Sequence, residues 1–192
     1  MRTIKSEILG ELNQKGSIAG WWGSEPIEIP FFDNTKMQIN YGEFLPEEDP
    51  KFIEEADQAI KAFLGKSKKD REAISHLVYK NCMDFLNQIV LQESDQIFID
   101  MKDKNDIWNH VKHFRHGGIN LSRRPHRDQD IYLEIDCRCG WEQEHGLKLV
   151  FRQGRQITRV SAMDGWLTDA DANGTPDTED ELLNKFLQGT KP

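Results

Sequence analysis

The sequence predicts an α+β fold: an antiparallel β-sheet or meander with an antiparallel helical pair packed on one face. Three observations carry this. Apolar residues between 49 and 91 recur at helical spacing. Those between 130 and 162 alternate with a period of two. Strand-like segments, then helices, then a meander is an α+β order and not a βαβ alternation. A chain of 192 residues is one domain by this reading, long enough to bury a core without staples.

Residues 1–16 read as an extension. Residues 17–41 read as N-terminal strands, with Asp33-Asn34 as a turn and Met37, Ile39 and Tyr41 alternating beyond it. Pro26 and Pro30 flank Ile27–Ile29 and place that strand at a sheet edge. Residues 49–91 form a helical hairpin. Asp49 is the expected N-cap with Pro50 at N1, and Phe52, Ala56, Ala59, Ile60 and Phe63 form the apolar stripe. Gly65 ends the first helix, and Ser67 with Asp70 makes a capping box for the second. The short connection implies that the two helices pack antiparallel.

Residues 104–127 read as a short helix, capped by Asn105, followed by a basic loop. In the meander of 130–162, Ile131, Leu133, Ile135, Cys137 and Cys139 share one face, and Gln153-Gly154 is a hairpin turn. Residues 163–192 hold an Asp-rich loop and a C-terminal helix over about 179–187. The three cysteines read as small buried apolar residues, because neighbours at i and i+2 of one strand are poorly placed for a disulfide.

A net charge of −8 disfavours nucleic acid and anionic membranes and suits a basic protein partner. The N-terminus has no apolar stretch of the secretory kind, and no run is long enough to span a bilayer, so a cytoplasmic setting is expected. Acids concentrate in the first 60 residues and the last 30, around a stretch from His110 to Arg127 that has none.

Three stretches carry candidate chemistry. The first is Asp169, Asp171, Asn173, Thr175, Asp177 and Asp180, with oxygens at calcium-loop spacing and Gly174 at the sharp turn. It lacks the bidentate Glu at its last position and resembles the Asp-rich calcium loops of dockerins and thrombospondin-type repeats. The competing reading is a turn and a helix cap, with Thr178 and Glu181 as capping box. No other cofactor is expected. The second stretch is basic: His113, Arg115, Arg123, Arg124 and Arg127 either grip an anion or partner, or pair with acids elsewhere in the chain. The third is Trp141, Glu142, Glu144 and His145, a loop between strands that serves partner binding. Its carboxylates and imidazole have no visible nucleophile or oxyanion donor, so no enzyme is predicted.

The stretches Trp22–Asp33, Glu54–Ile60 and Cys139–Arg152, the last running through Arg159–Ser161 to Asp164-Gly165 and Leu167-Thr168, together resemble a family of small bacterial cytoplasmic proteins grouped under a domain of unknown function. The resemblance extends from Trp21 to Asp180 and brings no catalytic residues with it. It implies a bacterial cytosolic setting. By association it implies a protein-binding role as an immunity-type inhibitor of a toxin. The alternatives are a calcium- or small-ligand-binding domain using the 169–180 loop, and an enzyme with an unrecognised site.

Overall fold

The computed structural model describes residues 2–16 and 19–189, with backbone alone for 112–117 and 186–189. Among the described residues a mostly antiparallel sheet of nine strands forms the frame, and helices supply its cover: an α+β architecture.

The sheet begins where the sequence reading placed an extension. β1 (Thr3–Ser6) and β2 (Gly10–Gln14) form an antiparallel hairpin that joins the sheet through β3 (Trp22–Gly23). Leu12 is fully buried, and a polar anchor holds the hairpin down. Asp57, on the first helix, accepts bonds from the Ser6 hydroxyl, from the Glu7 amide at 2.7 Å and from the Tyr41 hydroxyl at 2.9 Å. Hydrophobic pattern misses these strands because a buried carboxylate, not an apolar stripe, docks them.

β4 (Ile27–Ile29) pairs only with β5 (Thr35–Tyr41), off the main path, as its flanking prolines require. Between them Asp33 and Asn34 both adopt left-handed backbone, which these residue types tolerate.

β5 then pairs in parallel with β6 (Val111–Arg123), and this corrects two expectations. The expected short helix forms as a 3-10 helix over Lys104–His110, but Asp103 and not Asn105 caps it, and the expected basic loop is instead a long central strand. The chain from β5 to β6 is a helical crossover, which a parallel pair needs. Period-two alternation is present in Ile119, Leu121 and Arg123, but basic residues obscure it. Gly118 sits where a Cβ would lie 2.4 Å from the Gln38 carbonyl of β5.

The crossover holds α1 (Phe52–Leu64), α2 (Lys68–Ala73), α3 (Ser75–Leu86) and α4 (Gln96–Ile99). The Ser67–Asp70 capping box forms as expected. The expected second helix is broken at Ile74, whose backbone leaves helical geometry, so α2 and α3 are separate. The N-cap position of α1 falls at Lys51, while the expected cap, Asp49, shares its carboxylate between Arg123 of β6 and the backbone amides of Lys51 and Phe52. α1 packs on β7 and β1, and α3 packs on the 104–110 helix and β9.

β7 (Ile131–Cys139), β8 (Leu147–Arg152) and β9 (Gln156–Ser161) complete the meander. All five residues expected on its inner face are buried, as are the three free cysteines. Gln153-Gly154 turns with positive φ at both residues. A Cβ on Gly154 would stand 1.9 Å from the Ala59 carbonyl, so this turn packs directly on α1.

The core lies between helices and sheet. Phe31 is its hub, fully buried, with ring centroids at 4.9 Å from Phe32, 5.4 Å from Phe63 and 5.6 Å from Phe151. A smaller cluster of Tyr132, Val150 and Leu167 forms on the opposite face, where the C-terminal segment crosses the sheet.

Candidate partner-binding surface

The basic stretch and the Asp-rich loop meet each other. Arg124, the residue after β6, is 1% exposed. Its guanidinium is bidentate to Asp171 at 2.8 and 2.9 Å. It also donates to Asp177 at 2.7 Å, Asp128 at 3.1 Å and the Thr168 hydroxyl at 3.1 Å. Arg127 adds bonds to Asp177 and to the Thr175 carbonyl. Arg123 faces the helices, where it pairs with Asp49 and Glu55 and lies over Phe52. The side chains of His113 and Arg115 lie outside the described residues.

The 169–180 segment is therefore a clasp across the sheet. Asp169–Asn173 is a short helix, α5, that Thr168 caps through the Asp171 amide. Asn173 is its last residue, and left-handed Gly174 ends it. Asp169 pairs with Arg159 at 2.5 Å. Buried Asp180 accepts from the amides of Ala170 and Leu183, both at 2.9 Å. Asp180, rather than the expected Thr178–Glu181 box, thereby caps α6 (Glu181–Gly189). The carboxylates spaced as calcium ligands are thus directed at arginines and backbone amides. Among the described residues no group of three or more His, Cys, Asp or Glu is arranged to hold a metal ion.

These pairs set a pH response. The Arg124 guanidinium holds the Asp177 carboxyl below its usual range, and Arg123 does the same for Asp49. A carboxyl depressed in the folded state stabilises above its ordinary value of 3.8, and that stability is lost as pH falls through the depressed value. The urea midpoint is expected to fall on acidification below about pH 4, with a shallower fall in Arg124→Met. Equal slopes in the two proteins would contradict the assignment to Arg124.

The 141–145 loop is organised by its own side chains. Trp141 is buried, donates to Asn81 and meets Phe98 edge-on at 5.9 Å. Glu142 accepts from the Glu144 amide at 2.8 Å and the His145 amide at 3.2 Å. Its second oxygen lies 3.5 Å from the exposed His145 ring. Glu142 thus staples a turn, while Glu144 and His145 point outward.

A surface that sequence reasoning missed lies elsewhere. A cleft of about 490 Å³ opens between the 30–35 turn, α2 and the 103–109 helix. The capping box starts α2 so that Lys68 and Arg71 share one face. Arg71 is largely buried, bonded to Asp33 at 2.7 Å and set over the Trp108 ring at 5.5 Å. Trp108 is fixed by its own bond to Ser75 at 2.8 Å. Four acids line the cleft, Asp33, Glu72, Asp103 and Asp106, against two bases. Asp33 already neutralises Arg71, and Glu72 stands 4.0 Å from Lys68, so Asp103 and Asp106 leave the cleft acidic. Its walls come from three distant segments. The turn at Asp33 and the polar run at 103–106 were visible signals, but nothing in either pointed to the other.

Residues 8–167, most of the chain, match the family model described as Domain of unknown function (DUF6985). The chain belongs to the DUF6985 family. The match takes in all strands from β2 to β9 and the three segments that wall the acidic cleft. It ends at Leu167, so the Asp-rich clasp lies beyond the matched DUF6985 stretch, which is shorter at this end than the resemblance implied. No curated protein and no solved structure matches the chain. No helix among the described residues of this DUF6985 member is long and apolar enough to cross a membrane.

Proposed function

We propose that this chain is a non-enzymatic binding module for a basic protein, and that it works in the bacterial cytoplasm as an immunity-type inhibitor that masks a toxin. One observation carries the reading. The arginines described in the basic stretch, Arg123, Arg124 and Arg127, are engaged by the protein's own acids. The acidic cleft meanwhile keeps carboxylates open to a partner. A lysine or arginine side chain entering the cleft meets the opposing charge of Asp103 and Asp106, and complementary charge speeds encounter and fixes partner choice.

Glu72 and Asp106 line the cleft and hold no cap. The Glu72→Gln/Asp106→Asn variant is expected to bind a Lys/Arg-rich peptide about tenfold more weakly at low salt, by fluorescence anisotropy. The charge-matched variant Glu11→Gln/Glu179→Gln, at exposed positions on β2 and in the C-terminal segment, is expected to bind as wild type. Equal losses in the two variants would reduce the effect to net charge and remove the cleft from the proposal. Co-expression with the product of a neighbouring toxin gene tests the inhibitory role. Protection of growth supports it, and continued killing without complex formation overturns it.

A further inference from the structure

Among the described residues, five of the seven exposed large apolar side chains fall between 89 and 99. Val90 is 83% exposed, Ile97 56% and Leu91 50%, with Ile89 and Ile99 beside them. The display is held in shape. The Gln92 amide donates to Asp95 at 2.8 Å, which fixes the turn before α4, and Gln96 donates to Asp100 at 2.9 Å across it. Phe98 turns inward between His110 and Trp141, and its carbonyl accepts from Tyr79. One α4 side chain is therefore an anchor, while Ile97 and Ile99 are left facing out. A soluble monomer has no reason to order such a surface away from its core.

The border of this shoulder is predominantly acidic, with Lys102 and Lys104 following on its C-terminal side, where Lys104 lies over the Tyr79 ring. From Asn81 to Met101 the chain carries Asp84, Glu93, Asp95 and Asp100 and no lysine or arginine. The 141–145 loop, tied to the shoulder through Trp141, adds Glu144. The nearest base on the N-terminal side, Lys80, pairs with Asp84 at 2.5 Å, which leaves Glu93, Asp95 and Asp100 as the border acids of this segment. A second copy of the chain would set acid against acid, and an anionic lipid surface would be repelled in the same way.

We propose that the 89–99 shoulder is a docking surface for a partner segment whose apolar side chains are flanked by lysine or arginine, such as one face of a basic amphipathic helix. The inference rests on the partner-binding reading above for the basic character of the partner. It adds a second, apolar point of contact outside the acidic cleft. Apolar contact supplies affinity there, and the acidic border supplies register and excludes self-pairing.

The test uses the whole chain and three synthetic helical peptides: Leu/Lys amphipathic, Leu/Glu amphipathic, and Ser/Lys with the Leu face removed. The Leu/Lys peptide is expected to bind about tenfold or more tightly than either control, and to weaken with salt. Val90→Ser/Ile97→Ser is expected to weaken it about tenfold with an unchanged melting temperature, since both positions are outside the core. If Ser/Lys binds as well as Leu/Lys and only the cleft variant weakens it, the basic-partner reading stands and the shoulder falls. Equal binding of Leu/Glu, or wild-type self-association abolished by the double variant, also overturns the shoulder proposal. No binding of Leu/Lys overturns both.

Discussion

Replacing Arg124 with methionine is expected to lower the unfolding free energy by about 3–5 kcal/mol, the scale for breaking a buried ion pair from one side. The side chain is 1% exposed and serves Asp128, Asp171, Asp177 and Thr168 at once. Methionine fills similar volume, so the loss comes from charge and hydrogen bonding. Asp171 and Asp128 are little exposed and would be left with less compensation at low dielectric. Because the guanidinium is the knot of the C-terminal clasp, the damage has an address. Amide exchange is expected to rise first over 163–180, ahead of the meander strands. Urea unfolding with exchange by mass spectrometry reads both. A uniform rise across the sheet, or a loss below about 1 kcal/mol, would show that the clasp is held by other contacts. An Arg124→Met/Asp171→Asn double variant is expected to lose less than the sum of the singles, since the two share one interaction.

Phe31→Ala is expected to cost about 3–5 kcal/mol by leaving a cavity where four aromatic rings converge. Phe31 is fully buried between α1 and the meander. It also meets Trp108, which lies beneath Arg71 in the acidic cleft, with ring centroids at 6.3 Å. The substitution is therefore expected to blunt peptide binding in the cleft even where the protein remains folded. Phe31→Leu keeps most of the volume and is expected to recover more than half of the loss in both measurements. Thermal melts and anisotropy on the two variants separate core collapse from cleft distortion. Wild-type binding in folded Phe31→Ala would show that Trp108 holds its position without the aromatic cluster.

Local rules account for much of what was legible in this chain. The Ser67–Asp70 box, the Asp33-Asn34 and Gln153-Gly154 turns, the edge strand between Pro26 and Pro30, and the inner face of Ile131–Cys139 each depend on residues a few positions apart. Periodicity and capping are local, so one sequence suffices to read them. The break at Ile74 was not legible, because helical spacing continues through it; only the backbone shows where the helix turns.

The strands at 3–14 and 111–123 needed the tertiary structure, for opposite reasons. The first is too polar for an apolar pattern and docks through Asp57. The second alternates, but its basic residues gave it the look of a solvated loop, and a parallel partner 80 residues away supplies its place. The same distance hid both surfaces. Sequence showed that Arg124 and the Asp-rich loop were strongly charged and opposite in sign, and that Trp141–His145 was a loop. That the arginine would enter the loop and occupy its carboxylates, leaving acidity to a cleft built from Asp33, Glu72, Asp103 and Asp106, followed only from the fold. Charge is a property of residues, but whether a charge meets its counterpart inside the protein or is left for a partner depends on which segments the topology brings within a few ångströms.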